Sequence, residues 1–418
     1  MIHRRILLAL TGAAAMAMTA LPTMAQNRDP IRIAFIDPLS GLLATVGESN
    51  LKHLQFAAEK VNERGGVLGG RKLEIVPFDG KASAQESVTQ LRAALDQGIR
   101  IVTQGNGTSV ALALIEAVER HNQRNPGQEV IYLNNSAVDP VLTNDKCSYW
   151  HWQFDSNTTM KLTTLVRTLA KDTNVKKVFL INQDYAFGQG FSAEAKRLLK
   201  EARPDIEIVG DDFHPLGRVT DFSPYVAKIK ASGAQAVFTG NWGSDLALLI
   251  RAGSETGLNV NYYTFYGHVV GAPTAIGPAG VGRVRTTVPF HDNLGHEINS
   301  PELVQLTEEF RKKYNLDFYA GYFTYMIQML ANSIEKAGGT DMKKVAAALH
   351  TAELNTPAGV MKVRQDNHQI ETDFVVAVLE RGVPIQAEGI GAGWKTEAKF
   401  PARDISMPTT TCKMKVPS

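Results

Sequence analysis

The sequence predicts an α/β protein with two lobes, each built on a parallel sheet. Short β-branched runs alternate with segments whose apolar residues recur at three- and four-residue spacing, from IRIAFIDP to VNYYTFY. The runs are almost continuously apolar, which is typical of strands covered by helices on both faces. The pattern breaks at KCSYWHWQFDSNTT and restarts near Lys176. Because 418 residues exceed what one core usually organises, we expect a lobe boundary there.

The strands of the first lobe are predicted at IRIAFIDP, KLEIVPFD, IRIVTQG and EVIYLNN, and those of the second at KKVFLINQ, IEIVGDDFHP, AQAVFTGN and VNYYTFY. The helices that follow them are predicted at residues 47–63, 83–97, 110–122, 190–202, 222–231 and 245–255. Later helices at 302–314, 318–337 and 342–350 would complete the first lobe. Strands at 359–364 and 372–380 would form the last crossover and an antiparallel edge of the second lobe, before an irregular tail from about residue 399.

The glycine-rich stretch NERGGVLGGRKLEIVPFD lies where a helix gives way to a strand. Gly65 and Gly66 supply the left-handed geometry of a helix C-cap, and Gly69 and Gly70 turn the chain into the next strand. Glycines that hold a phosphate follow a strand and open a helix, which is the reverse order. The stretch therefore predicts a turn.

The first 25 residues have the pattern of a secretory signal: Arg4 and Arg5, an apolar run, and a small-residue exit at Ala25, where we expect cleavage. The apolar run is shorter than a membrane span requires. The formal charge is +2, and removal of the two arginines leaves zero. This balance predicts neither a nucleic-acid surface nor an anionic-lipid surface.

Cys147 and Cys412 are the cysteines of the sequence. Export to an oxidising compartment favours a disulfide between them, which would attach the C-terminal tail to the middle of the chain. The alternative is two unpaired buried thiols. Two cysteines this far apart do not predict a zinc site.

Ligands of open α/β sheets bind at the carboxyl ends of the strands. In the first lobe these loops lie at 38–41, 105–109 and 134–137, and they are small, hydroxylic and rich in backbone amides. In the second lobe they lie at 184–188, 240–243 and 266–268, and they carry aromatic residues. One lobe is suited to an anionic head and the other to an apolar body.

The sequence predicts no enzyme, cofactor or metal site. It contains no G-x-S-x-G elbow and no P-loop. The segment from His291 to Glu297 groups two imidazoles with two carboxylates, but its spacing matches no HExxH helix. The aromatic cluster SYWHWQF lacks the interleaved basic residues of a nucleic-acid platform, so packing between the lobes is the better account.

The motifs IRIAFIDPLSG, VNERGGVLGGRKLEIVPFD, VTQGNGTS and DYAFGQG, in this order, closely resemble the branched-chain amino-acid type of periplasmic binding protein that feeds ABC transporters. The resemblance covers nearly the whole chain. It implies a type I periplasmic binding fold, in which two Rossmann-like lobes joined by three crossover strands close on a small ligand. It also implies a periplasmic, non-enzymatic protein, a monomer in our prediction, whose partner is an inner-membrane permease.

The strand count places the crossovers near 152–156, 287–291 and 357–362. The first lobe would then comprise 26–152 and 289–357, the second lobe 153–288 and 358–398, and the tail 399–418.

The resemblance places carboxylate-holding loops at 105–109 and 136–138, and ligand-covering aromatic residues at Phe187 and Trp242. With the loop positions above, the predicted ligand-binding residues are Ser40, Asn106, Gly107, Thr108, Ser109, Ser136, Ala137, Tyr185, Phe187, Trp242 and His268. Each has an ordinary alternative: the serines as caps or turns, Trp242 as core, Tyr185 at the rim, and His268 hydrogen-bonded locally.

Two departures from the family pattern bear on the ligand. Val138 stands where amino-acid binders commonly place a hydroxyl, and His268 stands where they place the acid that meets the ligand's ammonium. A buried ammonium without a counter-charge is costly, so Asp184 or, less well, Asp245 would have to replace that acid. The sequence leaves open an amino acid or another small organic acid or amide. It also leaves open a sensing role instead of transport, which the same fold permits.

Overall fold

The computed structural model describes residues 29–41, 43–406 and 411–417. The predicted leader lies outside these residues. The strands are β1 (Ile31–Asp37), β2 (Leu73–Asp79), β3 (Ile101–Gln104), β4 (Ile131–Asn134), β5 (His151–Gln153), β6 (Lys177–Gln183), β7 (Glu207–His214), β8 (Ala236–Thr239), β9 (Asn261–Thr264), β10 (Val284–Val288), β11 (Glu353–Thr356), β12 (Gly359–Val363), β13 (Ile370–Glu371), β14 (Phe374–Glu380) and β15 (Gly393–Phe400).

The helices are α1 (Ala44–Glu63), α2 (Ala84–Asp96), α3 (Thr108–Arg124), α4 (Thr158–Leu169), α5 (Ala186–Ala202), α6 (Ser223–Ser232), α7 (Ser244–Glu255), α8 (Ala272–Ile276), α9 (Leu294–Glu297), α10 (Pro301–Tyr314), α11 (Tyr322–Ala337), α12 (Met342–His350) and α13 (Ala402–Ile405). Across the described ranges, none of the helices combines the length and apolarity that a membrane span requires.

The first lobe contains a five-stranded sheet in the order β2-β1-β3-β4-β5, and all of its pairs are parallel. Strands β1 and β5 are almost wholly buried, β3 and β4 are buried at every position, and the edge strand β2 is partly exposed. They share one core with α1, α3, α10, α11 and α12. The late helices α10, α11 and α12 therefore pack into the same core as this sheet.

The second lobe contains a seven-stranded sheet in the order β15-β14-β10-β9-β8-β6-β7. Strands β6 to β10 are parallel, and β14 pairs antiparallel with both β10 and β15. One face packs on α4 and α5, and the other packs on α6 and α7. Helices on both faces explain why β6, β8, β9 and β14 show no apolar–polar alternation. The predicted α/β fold with parallel sheets and an antiparallel edge is confirmed.

The chain passes between the two lobes three times. It leaves the first core at Phe154 and enters the second lobe by Met160, returns by Phe290, and crosses again between Ile370 and Phe374. This last connection comes later than the predicted 357–362. Residues 353–371 instead fold into a small antiparallel sheet, β11-β12-β13, that packs on the first core. Gly359, at φ +130°, closes its first hairpin, which the sequence prediction took for part of a crossover.

The glycine-rich stretch has the predicted geometry. Helix α1 ends at Glu63, and Gly65, Gly66, Gly69 and Gly70 all have positive φ. The amide of Gly66 donates to the carbonyl of Val61, and a Cβ at Gly66 would collide with the backbone of Arg71. These glycines close a turn between α1 and β2.

A disulfide joins Cys147, which precedes β5, to Cys412 in the C-terminal tail. The predicted pairing is thus present. The tail begins less irregularly than expected, since β15 extends to Phe400 and α13 follows.

Replacing both cysteines with serine should lower the free energy of unfolding by about 2–5 kcal/mol, because the unfolded chain loses a cross-link that closes a long loop. Denaturant titration measures the difference. A reductant should destabilise the wild type to the same extent and leave the variant unchanged; equal stability of the oxidised and reduced wild type would contradict the prediction.

Candidate ligand-binding site

A cavity lies between the two lobes, at the carboxyl ends of both parallel sheets. The cavity volume, measured as the space that the centres of water molecules can occupy, is about 90 Å³. This volume suits a small organic molecule rather than a single water. Both lobes and two of the connections between them contribute to its wall, through Val46, Asn50, Gly105, Asn106, Gly107, Thr108, Ser136, Ala137, Val138, Asp155, Lys161, Tyr185, Phe187, Trp242, Tyr266, His268, Val269, Thr287, Val288, Pro289, Tyr319, Ala320 and Tyr322.

Most of the residues predicted from the sequence meet at this cavity. They are Asn106, Gly107, Thr108, Ser136, Ala137, Tyr185, Phe187, Trp242 and His268. Ser40 and Ser109 do not line it. Ser40 is exposed and donates to Asp79 Oδ2 at 2.5 Å, which is the turn role weighed as its alternative. Ser109 lies one position further along α3 than Thr108, and its side chain is exposed to solvent.

The N-terminus of α3 forms one end of the cavity. Gly107 caps this 17-residue helix at φ +98°, a conformation that favours glycine. Helical hydrogen bonding begins at Ala111, whose backbone N–H donates to Gly107 O at 3.0 Å. The preceding amides and the helix dipole favour a negative charge at this end.

Asp37, at the end of β1, holds the loop that leads into α3. Its carboxylate accepts from the Asn106 backbone N–H at 3.0 Å and from Asn106 Nδ2 at 2.8 Å. Gln104 Nε2 donates to Asn106 O at 2.8 Å from the next strand. Burial raises the pKa of Asp37 to about 7, although the Asn106 donors favour the charged form. The sequence prediction missed this positioning role.

The loop after β4 offers the cavity the hydroxyl of Ser136, whereas its backbone amides are already hydrogen-bonded within the loop. The Ser136 and Ala137 N–H groups donate to Asn134 Oδ1 at 3.2 and 2.8 Å, so the expectation of free backbone amides was wrong here. The Ser136 hydroxyl donates within the loop to Asn135 Oδ1 at 3.2 Å. A Cβ at Gly105 would collide with Asn135, so glycine allows the two loops to approach each other.

Aromatic side chains of the second lobe form the opposite wall. Trp242 Nε1 donates to the Tyr185 hydroxyl at 2.9 Å, and the Phe187 ring lies 5.9 Å from Tyr185 and 6.0 Å from Tyr266. These tilted contacts fix the rings without filling the cavity.

Phe187 lies on a helix rather than in the loop that the sequence predicted. Helix α5 begins at Ala186, four residues earlier than expected, so Phe187 belongs to its first turn. Gly188 was taken as a loop residue, but a Cβ there would collide with the backbone of Gln183. The glycine therefore permits close packing of the helix against β6.

His268 faces the cavity as a neutral imidazole. Its Nδ1 lies 3.0 Å from Thr286 Oγ1, and its ring meets Tyr319 edge-on at 5.9 Å. Burial and the nearby charge of Lys161 lower its pKa to about 3. The histidine therefore carries no charge near neutral pH.

Neither predicted acid reaches the cavity. Asp184 is exposed and accepts from Gln189 Nε2 at 2.9 Å. Asp245 is buried, and its Oδ2 accepts from Gln183 Nε2 and from the Gly217 amide, both at 2.8 Å. Both expectations for a partner to a ligand ammonium were therefore wrong.

The structure places a different acid in the cavity, Asp155, and pairs it with Lys161. The Lys161 Nζ–Asp155 Oδ2 distance is 2.6 Å, and the two side chains are only 5% and 6% exposed. Burial raises the pKa of Asp155, and the charge of Lys161 opposes that rise. The sequence offered one signal, a lysine six residues beyond an acid at the lobe boundary, but an ordinary surface pair has the same pattern.

In the described part of the chain, no group of three or more histidine, cysteine, aspartate or glutamate side chains is arranged to hold a metal ion. His291 instead lies 2.9 Å from Thr396 Oγ1 and 3.7 Å from Glu297.

Two parallel-sheet lobes, three connections and a cavity between the lobes define a two-lobed solute-binding protein. The sequence profile of the periplasmic binding protein family matches residues 30–383, and the chain belongs to this family. Members of this family bind small-molecule ligands and work with ABC transporters, and membership implies a periplasmic location.

Several relatives show the same relationship across their whole lengths. Leu/Ile/Val-binding protein homolog 4 of Brucella abortus is 30% identical over 97% of this chain and 98% of its own. The leucine-, isoleucine-, valine-, threonine- and alanine-binding protein of Pseudomonas aeruginosa is 24% identical over 87% of this chain and 93% of its own. The crystal structure of the protein of that description from Brucella ovis, in a closed conformation, superposes with a TM-score of 0.84 at 28% identity and covers 93% of this chain and all of that one.

The raised pKa of Asp37 predicts a pH dependence of stability. A buried carboxyl whose pKa rises from 3.8 to about 7 stabilises the fold most at acidic pH, and this contribution is lost as the pH rises from about 4 to about 7. Asp37→Asn should therefore flatten the decline in unfolding free energy between about pH 5 and pH 7.5 by about 2–3 kcal/mol. Denaturant titration at each pH measures it, and parallel curves for variant and wild type would contradict the assignment.

Proposed function

We propose that the cavity binds a small organic carboxylate with an apolar body, and that both lobes close on it and deliver it unchanged to an inner-membrane ABC permease. The observation that carries this proposal is the division of the cavity wall. Thr108 and Ser136 of the first lobe form a polar, anion-favouring end, whereas Phe187 and Trp242 of the second lobe form an aromatic wall.

Each end has a defined part in binding. The N-terminus of α3 and the hydroxyls of Thr108 and Ser136 hold the carboxylate, because unpaired amides and the helix dipole stabilise negative charge there. The Ser136 hydroxyl turns from Asn135 Oδ1 to donate to the ligand. Phe187, Trp242 and Tyr266 cover the hydrocarbon part and exclude water from it. Tyr185 supports Trp242 through its hydroxyl. His268 contributes a neutral polar group.

The names of the relatives agree with a ligand of this size and polarity. The Brucella abortus relative is described as a homolog of Leu/Ile/Val-binding proteins, and the proteins from Pseudomonas aeruginosa and Brucella ovis are described as binding leucine, isoleucine, valine, threonine and alanine. All of these are small carboxylates, and the larger ones carry an apolar side chain. Because of these names, branched-chain amino acids are the reference ligands for binding experiments. The same cavity wall also suits other small organic acids.

Ligand binding and lobe closure are one equilibrium. Contacts from the two lobes act on the ligand together only when the lobes are closed, so the ligand shifts the population toward that state. The moving bodies meet at 154–157, 288–290 and 371–374, with the small β11-β12-β13 sheet moving as part of the first lobe. A permease that recognises the closed form then responds to occupancy.

The protein acts as a monomer without catalysing a reaction on its ligand. Export precedes its function, with the leader removed near Ala25. Loss of uptake in a deletion strain, rather than loss of a transcriptional response alone, distinguishes this transport role from a sensing role.

Trp242→Ala should weaken binding by about tenfold or more, because it removes a large aromatic contact from the ligand wall. Isothermal titration calorimetry with the small acid that most raises the melting temperature in a screen of amino acids, aromatic acids and amides measures the change. Leu216→Ala removes an exposed side chain of the same lobe and serves as the matched control. An unchanged dissociation constant in a folded Trp242→Ala protein would refute the contact.

Closure predicts a change in shape. The radius of gyration measured by small-angle X-ray scattering should fall when the same acid is added at saturating concentration, because the open and closed arrangements differ in the separation of the lobes. Trp242→Ala at equal ligand concentration should show a smaller change. Scattering curves that remain identical with and without bound ligand would contradict hinge closure.

A further inference from the structure

The buried ion pair of Asp155 and Lys161 lies in the wall of the cavity and has no counterpart in the sequence prediction. Both side chains contribute to the lining, and both are almost fully buried. Lys161 Nζ lies 5.6 Å from the centroid of the Phe265 ring and 5.9 Å from that of Tyr266. The ammonium is therefore held against the aromatic side of the cavity.

The pair lies next to the polar end. Phe154, the neighbour of Asp155, donates its amide to Asn134 O at 2.8 Å. Thr158, at the start of α4, donates its amide and its hydroxyl to Val138 O at 2.8 and 3.0 Å. The backbone on both sides of the acid is thus attached to the 134–138 loop that carries Ser136. A small ligand whose carboxylate lies at that loop has its neighbouring atoms close to the ion pair.

The charges of the lining decide which second group a ligand can carry. Among the described lining residues Asp155 alone is acidic, and Lys161 already neutralises it. The other basic side chain, His268, is a neutral imidazole. The α-ammonium of an amino acid would therefore be buried beside a fixed ammonium, with no unpaired carboxylate to compensate it.

Building on the proposed function, we propose that Lys161 occupies the position at Asp155 that a ligand ammonium would need, and that the protein selects amine-free organic acids over amino acids. The ligand then presents its carboxylate to α3 and Ser136 and a neutral group to the pair. Selection against amino acids also involves repulsion, because the ammonium of Lys161 repels the α-ammonium of an amino acid.

A hydroxyl meets the hydrogen-bonding needs of the pair. Asp155 Oδ1 is buried, and no donor among the described residues reaches it with hydrogen-bond geometry, although the Ser156 amide is near enough to favour the charged form. Lys161 Nζ donates to Asp155 Oδ2, and an ammonium has three donors. A ligand hydroxyl can accept a hydrogen bond from Lys161 Nζ and donate one to Asp155 Oδ1. A hydroxy acid should therefore bind most tightly.

The test compares acids that share a carbon skeleton and differ at one position. One set is leucine, 2-hydroxy-4-methylpentanoate, 4-methyl-2-oxopentanoate and 4-methylpentanoate, and a second set is phenylalanine, phenyllactate, phenylpyruvate and 3-phenylpropanoate. Calorimetry on the full mature protein should find the hydroxy acid of the better-fitting set at least about tenfold tighter than the amino acid. An amino acid that binds most tightly in its set would overturn the proposal.

Variants of the pair connect the preference to these residues. Lys161→Met leaves Asp155 uncompensated, so the amino acid should gain about tenfold or more in affinity while the hydroxy acid loses affinity. Since a lone buried carboxylate can impair folding, the double variant Asp155→Asn with Lys161→Gln removes both charges at similar volume, and its preference for the hydroxy acid should fall toward parity. Lys176→Met breaks an exposed pair with Asp205 in the same lobe and should keep the wild-type ratio.

The outcomes separate this inference from the function on which it rests. Tight binding of amino acids, reduced by Trp242→Ala, would overturn the role of Lys161 and leave the solute-binding function intact. An unchanged ratio in the double variant would do the same. Failure of every acid in both sets to bind would overturn the proposed carboxylate specificity together with this inference.

Discussion

The direction of the strands is the constraint on which the rest of the structure depends. Parallel strands end at one edge of their sheet, so every loop that follows a strand in a lobe reaches the same side. Two such edges face each other here because the chain crosses between the lobes three times. The polar loops of the first lobe and the aromatic groups of the second therefore meet without being close in sequence, and neither half of the cavity wall is complete alone.

Much of this arrangement follows from sequence patterns that have one physical meaning. The unbroken apolar strands required helices on both faces, and the strand ends pointed to the segments of Thr108, Ser136, Phe187 and Trp242, which line one cavity. Such predictions depend on periodicity and on the polarity of a sheet, both of which can be read from the sequence. Ser40 and Ser109 do not line the cavity because a position near a strand end does not fix the direction of a side chain.

The unpredicted features depend on contacts that no local pattern encodes. Asp155 and Lys161 look like surface residues in sequence, but both are buried, and Lys161 lies against Phe265 and Tyr266, which are distant in sequence. Asp37 lies at a strand end, but its function of holding the Asn106 loop depends on the neighbouring strand. The last crossover was placed too early because the β11-β12-β13 hairpins lie on the first lobe, where Met361 and Val363 find an apolar surface.

The disulfide also affects movement between the lobes. The tail leaves the second lobe at Ile405, which is buried in its core, and at the next residue Ser406 accepts from Arg364 of the first lobe at 3.3 Å, before Cys412 binds Cys147. The tail is thus a fourth link across the hinge, and it is covalent only under oxidising conditions. The disulfide therefore fastens the end of the second lobe to the first lobe, and its reduction would remove that covalent attachment.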